Sequence, residues 1–228
     1  MKKAILIDMG DTLIHNVDIN FRNSIDKLFE KAIKPKCIKS VFINEAINIL
    51  NEIFNERKNM EFKMIEYIKL LIDLYDLKFD DSLEALEEDF ALNSCQYQEV
   101  EGAEKILKYF RLKNYPVILL SNTSFSKNLI IKILGNLSSY FEDIIVSSEG
   151  VFRKPSRYFF EQGINKFNFP KDKIYYIGND LYADIYGAIS VNIKPIWFNE
   201  KNIKNEGIVD KKDYIEIKKL EELIEMDF

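Results

Sequence analysis

The chain has 228 residues, enough for one large domain with a real core or for a core that carries an insertion. Its 37 acidic residues outnumber 32 basic ones and the net charge of −5 is spread rather than blocked, which argues against a polyanion-binding surface and so against nucleic acid. Cys37 and Cys95 form no CxxC pair and His15 is the single histidine, so neither a Cys/His zinc site nor a disulfide scaffold is expected.

The amino-terminal "MKKAILI" resembles the start of a signal peptide, but Asp8 breaks its apolar stretch too early, and no segment has the apolar length to span a bilayer. The expectation is a cytoplasmic protein with no membrane partner. Ala4 to Ile7 read as a strand buried on both faces, ended by the turn chemistry of Gly10 and Asp11. Asp8 then sits at the carboxyl end of a central strand, where open α/β sheets bind ligands; a local turn-capping role suits an aspartate there equally well. From Val17 to about Phe90 the apolar residues fall at helical spacing, as in Ile25, Leu28, Phe29, Ala32 and Ile65, Ile68, Leu71, Ile72, Tyr75. Beyond Glu101 short apolar strands ("PVILLS", "DIIVS", "KIYYIG", "PIWF") alternate with helical stretches ("AEKILKYFRLK", "KNLIIKIL", "SRYFFEQGINKF", "DIYGAI"). That alternation predicts βαβ units and a parallel sheet. Pro116, Pro155, Pro170 and Pro195 stand near element starts, where a missing N–H does least harm. The simplest architecture is an α/β core of residues 1–15 and 96–228, interrupted by a helical insertion, 16–95, that hangs over the end of the first strand like a lid. The tail "EELIEMDF" reads as an amphipathic terminal helix docked on the core.

The remaining polar residues follow the same rule. Ser121, with Asn122 and Thr123 beside it, ends "PVILL"; Lys154 lies beyond "DIIVSSEGVFR"; "GNDLYAD" follows "KIYYI". Converging on one crevice, they would offer a nucleophilic carboxylate, hydroxyl and amide donors, one ammonium and a second acidic cluster. Carboxylates with oxygen donors suit a hard cation such as Mg²⁺, and the lysine and hydroxyls suit a phosphoryl group.

These residues resemble the motifs of the haloacid dehalogenase-like hydrolase superfamily over most of the chain. The family's D-x-D-G-T-L resembles "IDMGDTL", its strand-ending Ser or Thr "ILLSNTS", its lysine followed by proline "RKPSRYFF", and its acidic G-D-x-x-x-x-D loop "IGNDLYAD". The resemblance implies a Rossmann-like parallel sheet core with an inserted α-helical cap. It implies a Mg²⁺-dependent phosphatase acting on a small phosphorylated substrate. It further implies Asp8 as nucleophile, forming an aspartyl-phosphate, and Thr12, Ser121, Asn122 and Lys154 around the phosphate. Asp8, the Gly10 carbonyl, Asn179 and Asp184 would then surround the metal.

Two departures qualify those roles. Gly10 stands where the family's phosphatases carry a second aspartate as general acid and base. Asp11 is an imperfect substitute, because an odd spacing from Asp8 directs it to the other face unless the chain has turned. Asn179 replaces a metal-binding aspartate, which removes one negative charge; Asp180 next door could restore it. The loss of a general acid costs about 10²–10⁴-fold, whereas positioning and charge supply most of phosphoryl transfer, so a slow phosphatase remains the leading expectation. The alternatives are a catalytically faded member that binds a phosphorylated ligand or a protein, and a 2-haloacid dehalogenase, which also lacks the second aspartate but usually carries an aromatic residue at the position of Gly10.

His15 reads as a hinge residue at the cap junction, with a proton-donor role as its rival. Phe21, Arg22, Arg57 and Lys58 could reach a substrate, although aromatics at helical spacing usually pack and helix charges are usually solvated. Trp197 is expected to pack at a strand end. No motif in 16–95 reports which substrate the cap would select.

Overall fold

A computed structural model describes residues 3–226. Six parallel strands form the central sheet: β1 (Ala4–Ile7), β4 (Val117–Ser121), β5 (Asp143–Val146), β6 (Ile174–Gly178), β7 (Lys194–Phe198) and β8 (Ile215–Ile217), in the spatial order β5-β4-β1-β6-β7-β8. β1 therefore lies inside the sheet, paired with β4 on one side and β6 on the other. The strand period of two explains its unbroken apolar run. Ile5 and Ile7 enter the cluster with Ile106 and Phe110 of α5 (Ala103–Leu112), and Ala4 and Leu6 enter the opposite cluster with Phe159 and Phe160 of α7 (Arg157–Ile164). Helices on both faces leave no polar side to the strand, as the resemblance implied.

The segment after β1 turns at once. The amides of Thr12, Leu13 and Ile14 all approach the Met9 carbonyl, at 3.2, 2.8 and 2.9 Å, and Asp11 takes a left-handed φ of 52°. Asp tolerates that conformation better than most residues, because its short side chain can bond locally. The chain then enters β2 (Ile14–Val17), which pairs antiparallel with β3 (Gln96–Glu99). This two-stranded ribbon was not expected from the sequence. "IHNV" and "QYQE" are half-exposed and mixed in polarity, so they show neither an apolar run nor a clean alternation.

Between the ribbon's two arms lie α1 (Phe21–Lys31), α2 (Lys39–Glu56), α3 (Met64–Tyr75) and α4 (Leu83–Ser94). Asn20 and Ser82 cap α1 and α4 by accepting from the amides of Asn23 and Ala85. The apolar stripes read from the sequence meet in a separate cluster containing Ile25, Leu28, Ile68 and Leu71, with Phe42 and Phe90 fully enclosed. Phe125, beyond β4, packs against this cluster and against the sheet's, bridging the two.

The α2–α3 loop docks on the sheet domain through main-chain bonds: Glu61 N–H to Val151 O (2.8 Å), Arg153 N–H to Asn59 O (3.1 Å) and Met64 N–H to Ser124 O (2.8 Å). At its centre the Glu61 carboxylate has no exposed area. It accepts from Ser147 Oγ at 2.7 Å, Ser124 Oγ at 3.1 Å and Arg57 Nη1 at 3.2 Å, with Arg153 Nη1 at 3.7 Å.

Two sequence expectations change in detail. "DIYGAI" divides into a π-helical turn, Leu181–Tyr186, and a short α8 (Gly187–Ser190). The tail helix α9 spans only Glu222–Glu225, docked through buried Leu223; residues 227 and 228 lie outside the described residues. Among the described residues no helix is long and apolar enough to cross a membrane.

Removal of the buried Glu61 carboxylate leaves two guanidinium groups facing each other without their shared counter-charge. Glu61→Ala should therefore cost about 3 kcal/mol, and Glu61→Gln, which keeps the side chain's packing and an acceptor oxygen for one of the two serines, less. Urea denaturation of the three proteins checks both the size and the order.

Candidate active site

The parallel sheet brings the separated polar residues to one edge. Asp8 follows β1, Ser121 closes β4, Asn179 follows β6, and Lys154 arrives from the segment after β5. Lys154 Nζ stands 2.6 Å from Asp8 Oδ1 and 2.7 Å from Asp184 Oδ1. It also donates to the Tyr176 hydroxyl at 2.7 Å. Tyr176 pairs in register with Leu6 in the sheet, and its hydroxyl lies 3.0 Å from Asp184 Oδ1 and 3.2 Å from Leu120 O. Asp8, Lys154 and Asp184 are respectively 6%, 3% and 1% exposed, so the cluster is desolvated.

One ammonium faces two carboxylates, and the three groups together keep an excess negative charge. Burial pushes the Asp8 carboxyl up to about 6 against the pull of Lys154, and Asp184 adds to the rise. Burial alone would lower Lys154, yet Asp184 and Asp8 hold it above the usual lysine range. At neutral pH Lys154 is charged and Asp8 is mainly the carboxylate a nucleophile requires.

The loop after β6 is built to aim Asp184. Asp184 Oδ2 accepts from the Asp180 amide at 3.0 Å, while Asp180 Oδ1 accepts from the amides of Tyr182 and Ala183 at 2.8 and 2.7 Å. Asp180 is thus occupied as the cap of the helical turn. Gly178 permits the close approach, since a Cβ there would overlap the Asp184 carboxylate. Asn179 is fixed on two sides: its carbonyl accepts from Trp197 Nε1 at 2.9 Å, and Thr12 Oγ1 lies 3.4 Å from its Oδ1. Thr12 is fully buried and ties the loop after β1 to the loop after β6.

Asn122 is similarly engaged. Its Nδ2 donates to Lys154 O at 3.0 Å and its Oδ1 accepts from Lys154 N–H at 2.7 Å, so its side chain holds the lysine's backbone in place. Asp11 turns away from Asp8. Its carboxylate accepts from Lys201 Nζ at 2.8 Å and lies 3.3 Å from His15 Nδ1, and His15 Nε2 lies 3.5 Å from Glu200. Neither group is aimed at the Asp8–Lys154 pair. A Cβ on Gly10 would lie 3.2 Å from Asn16 Nδ2, a tight contact that a small shift of the Asn16 amide would relieve. Arg57 is spent on Glu61 and packs over Phe54 and Phe62. Phe21 packs against Phe54 and Phe90.

Sequence reasoning missed Tyr176, Asn16 and Glu61. A tyrosine inside a wholly buried strand was the available signal for the first, because a buried phenol needs a partner. Asn16 and Glu61 carried none, since each acts only through the folding of distant segments.

The donor chemistry fits a hard cation. Asp8, the Gly10 carbonyl and the Asn179 amide offer oxygen only, near an excess negative charge. Among the described residues no three His, Cys, Asp or Glu side chains gather as ligands, so neutral oxygens would have to complete the shell.

The chain is 27% identical to a glyceraldehyde 3-phosphate phosphatase of Pyrococcus abyssi, with 99% of this chain and 94% of that protein covered. It is 25% identical to the pyrimidine 5′-nucleotidase PynA of Streptococcus pneumoniae, over 65% of each. Among solved structures, a HAD phosphatase from Thermococcus onnurineus has a TM-score of 0.66 at 22% identity, covering 99% of this chain and 97% of that one. A 2-haloacid dehalogenase from Pseudomonas syringae has a TM-score of 0.70 at 17% identity, covering 99% and 97%, which speaks to the fold alone. The family model for haloacid dehalogenase-like hydrolases matches residues 2–192, and with the sheet order and the motif residues at its carboxyl edge, the chain belongs to that family.

Proposed function

We propose that this chain is a Mg²⁺-dependent phosphatase that hydrolyses a small phosphorylated metabolite through a phosphoryl group carried on Asp8. The observation that carries the reading is the clamp on Asp8: a buried carboxylate at the end of the central strand, with one oxygen held by Lys154. In the first step the free Asp8 oxygen attacks phosphorus and the bond to the ester oxygen breaks, with the electron pair leaving on that oxygen. In the second, water attacks the same phosphorus, the bond from phosphorus to Asp8 breaks with its electron pair staying on the carboxylate, and the water's proton passes to the released phosphate or to solvent. Lys154 neutralises part of the phosphoryl charge, and the hydroxyl of Ser121, which ends β4 at the same edge of the sheet, suits a phosphoryl oxygen. Asp184 and Tyr176 keep the lysine in place. Asp8, the Gly10 carbonyl and Asn179 would hold Mg²⁺, with Asp184 beside them; bound there, the ion would offset the excess negative charge that otherwise opposes a phosphate dianion. Relatives named as glyceraldehyde 3-phosphate phosphatases support a small phosphorylated substrate. Residues 16–95 serve as the cap over the site, joined to the core by the ribbon of β2 and β3.

Asp8→Asn is nearly isosteric and should abolish turnover of acetyl phosphate while the melting temperature stays within a few degrees. Retained hydrolysis in an uncontaminated preparation would remove Asp8 from the nucleophile's role.

With no acid at position 10 and Asp11 turned away, the departing oxygen leaves unprotonated, and rates should depend steeply on leaving-group acidity. Gly10→Asp should restore alkyl phosphate turnover by no more than the roughly 10²–10⁴-fold that acid catalysis supplies. Because Asn16 crowds that position, the gain should be larger in Gly10→Asp combined with Asn16→Ala. Rates across a series of aryl and alkyl phosphates, measured on all three proteins, test the idea. A flat series in the parent would assign the proton to another group.

Asn179→Asp should lower the Mg²⁺ concentration for half-maximal activity and tighten Mg²⁺ binding measured by calorimetry. Superimposable titrations would place residue 179 outside the metal's shell.

A further inference from the structure

A cavity of about 150 Å³ opens beside the site between the loops after β1 and β4 and the two arms of the ribbon. Met9 and Gly10, which directly follow Asp8, form one wall, and Ser121 and Asn122 form another. Ile19, Phe21 and Cys95 of the inserted segment and Tyr97 of β3 complete the lining. Two properties distinguish this cavity from two larger grooves of the molecule. Its lining includes no Asp, Glu, Lys, Arg or His, whereas the groove between α1 and α4 carries Lys27, Glu30, Lys31 and Asp89, and the one between α4 and α6 (Lys127–Leu134) carries Glu84, Glu88 and Lys132. It is also smaller than the 280 and 510 Å³ of those grooves and below the roughly 300–1,000 Å³ common for drug-sized ligands.

Most polar groups in the wall are already occupied. The Asn122 amide is spent on the Lys154 backbone and Ser94 Oγ on Ala91 O. Asn16 differs: its Oδ1 accepts weakly from Cys95 Sγ at 3.9 Å, and its Nδ2 stands over Gly10 as a neutral donor. A charged group entering this space would lose its hydration and find no counter-charge, a cost of several kcal/mol in an apolar setting. A hydroxyl or carbonyl oxygen would meet the Asn16 amide.

We propose that the organic part of the substrate is a small uncharged group of a few heavy atoms, seated in this cavity, with an oxygen recognised by Asn16. The proposal rests on the phosphatase reading, which puts phosphorus at Asp8. It makes the uncharged wall a selector against carboxylated and amino phosphate esters, and the volume a selector against nucleotides.

Acetyl phosphate hydrolysis provides the test, because its leaving group needs no protein acid. Glycerol 1-phosphate, phosphoglycolate, phosphoethanolamine and uridine 5′-monophosphate are scored as competitive inhibitors of that reaction as well as substrates, so slow turnover of alkyl esters does not conceal binding. Glycerol 1-phosphate should bind roughly 10- to 100-fold more tightly than the other three, the range of discrimination that a small pocket achieves. Equal or tighter binding of the carboxylated, amino or nucleotide ester overturns the proposal, whereas absence of acetyl phosphate hydrolysis overturns the phosphatase reading itself. Two variants separate the parts. Ile19→Lys, at a side chain 61% exposed on the cavity's edge, should shift the preference toward phosphoglycolate by about tenfold, the scale of one new charge pair of about 1.4 kcal/mol. Asn16→Ala should weaken glycerol 1-phosphate more than propyl phosphate, which lacks the hydroxyls; an unchanged ratio between them removes Asn16 from recognition.

Discussion

The Lys154 ammonium is the constraint on which the site depends. It lies 2.6 and 2.7 Å from two carboxylates that are 146 and 30 residues away in the chain, and all three groups are almost fully buried. A buried ion pair is weak evidence of stability, because desolvation offsets most of its attraction. Its value here is geometric. With Asp184, Asp8 and the Tyr176 hydroxyl as partners, the ammonium has a determined position, and it holds one oxygen of Asp8. Much of the surrounding structure serves that arrangement. Asn122 holds the lysine's backbone, Asp180 caps the turn that presents Asp184, and Gly178 makes room for it.

A second buried charge organises the contact between the inserted helices and the core. Glu61 brings Arg57 from its own loop, Ser124 from the loop after β4, and Ser147 and Arg153 from the segment leading to Lys154. Arg153 is the neighbour of Lys154 in sequence, so the docking contact and the lysine's position share a stretch of backbone. The ribbon of β2 and β3 fixes the other end of the insertion, and residues of this ribbon and of the strand ends line the small uncharged cavity.

The two departures from the family pattern have different structural settings. Gly10 has the neutral Asn16 amide in close contact with the position its Cβ would take. Asn179 is held by Thr12 and Trp197, which orient its amide oxygen and do not replace the missing charge. Both changes make the site less charged than the usual pattern, and the cavity beside it is uncharged as well.

The sequence by itself determined the sheet and the order of its chemistry. Short apolar runs that alternate with helical stretches read as strands buried on both faces, and in a parallel sheet the polar residues that follow such runs come to the same edge; this made the placement of Asp8, Ser121, Lys154 and Asn179 legible, along with a helical insertion. The edge strand β8 and the ribbon were not legible, because "IEI", "IHNV" and "QYQE" are short and half-exposed and their pairing depends on partners distant in sequence. Side-chain commitments were likewise decided only by the tertiary structure. Thr12 lies against Asn179, Asn122 holds the backbone of Lys154, and Asp11 faces Lys201, 190 residues away, and none of these contacts is written in a local pattern. A motif states which donors arrive at an edge. Which of them remain available to a substrate depends on what the rest of the fold has already bonded, and that is settled by long-range contacts that no local pattern encodes.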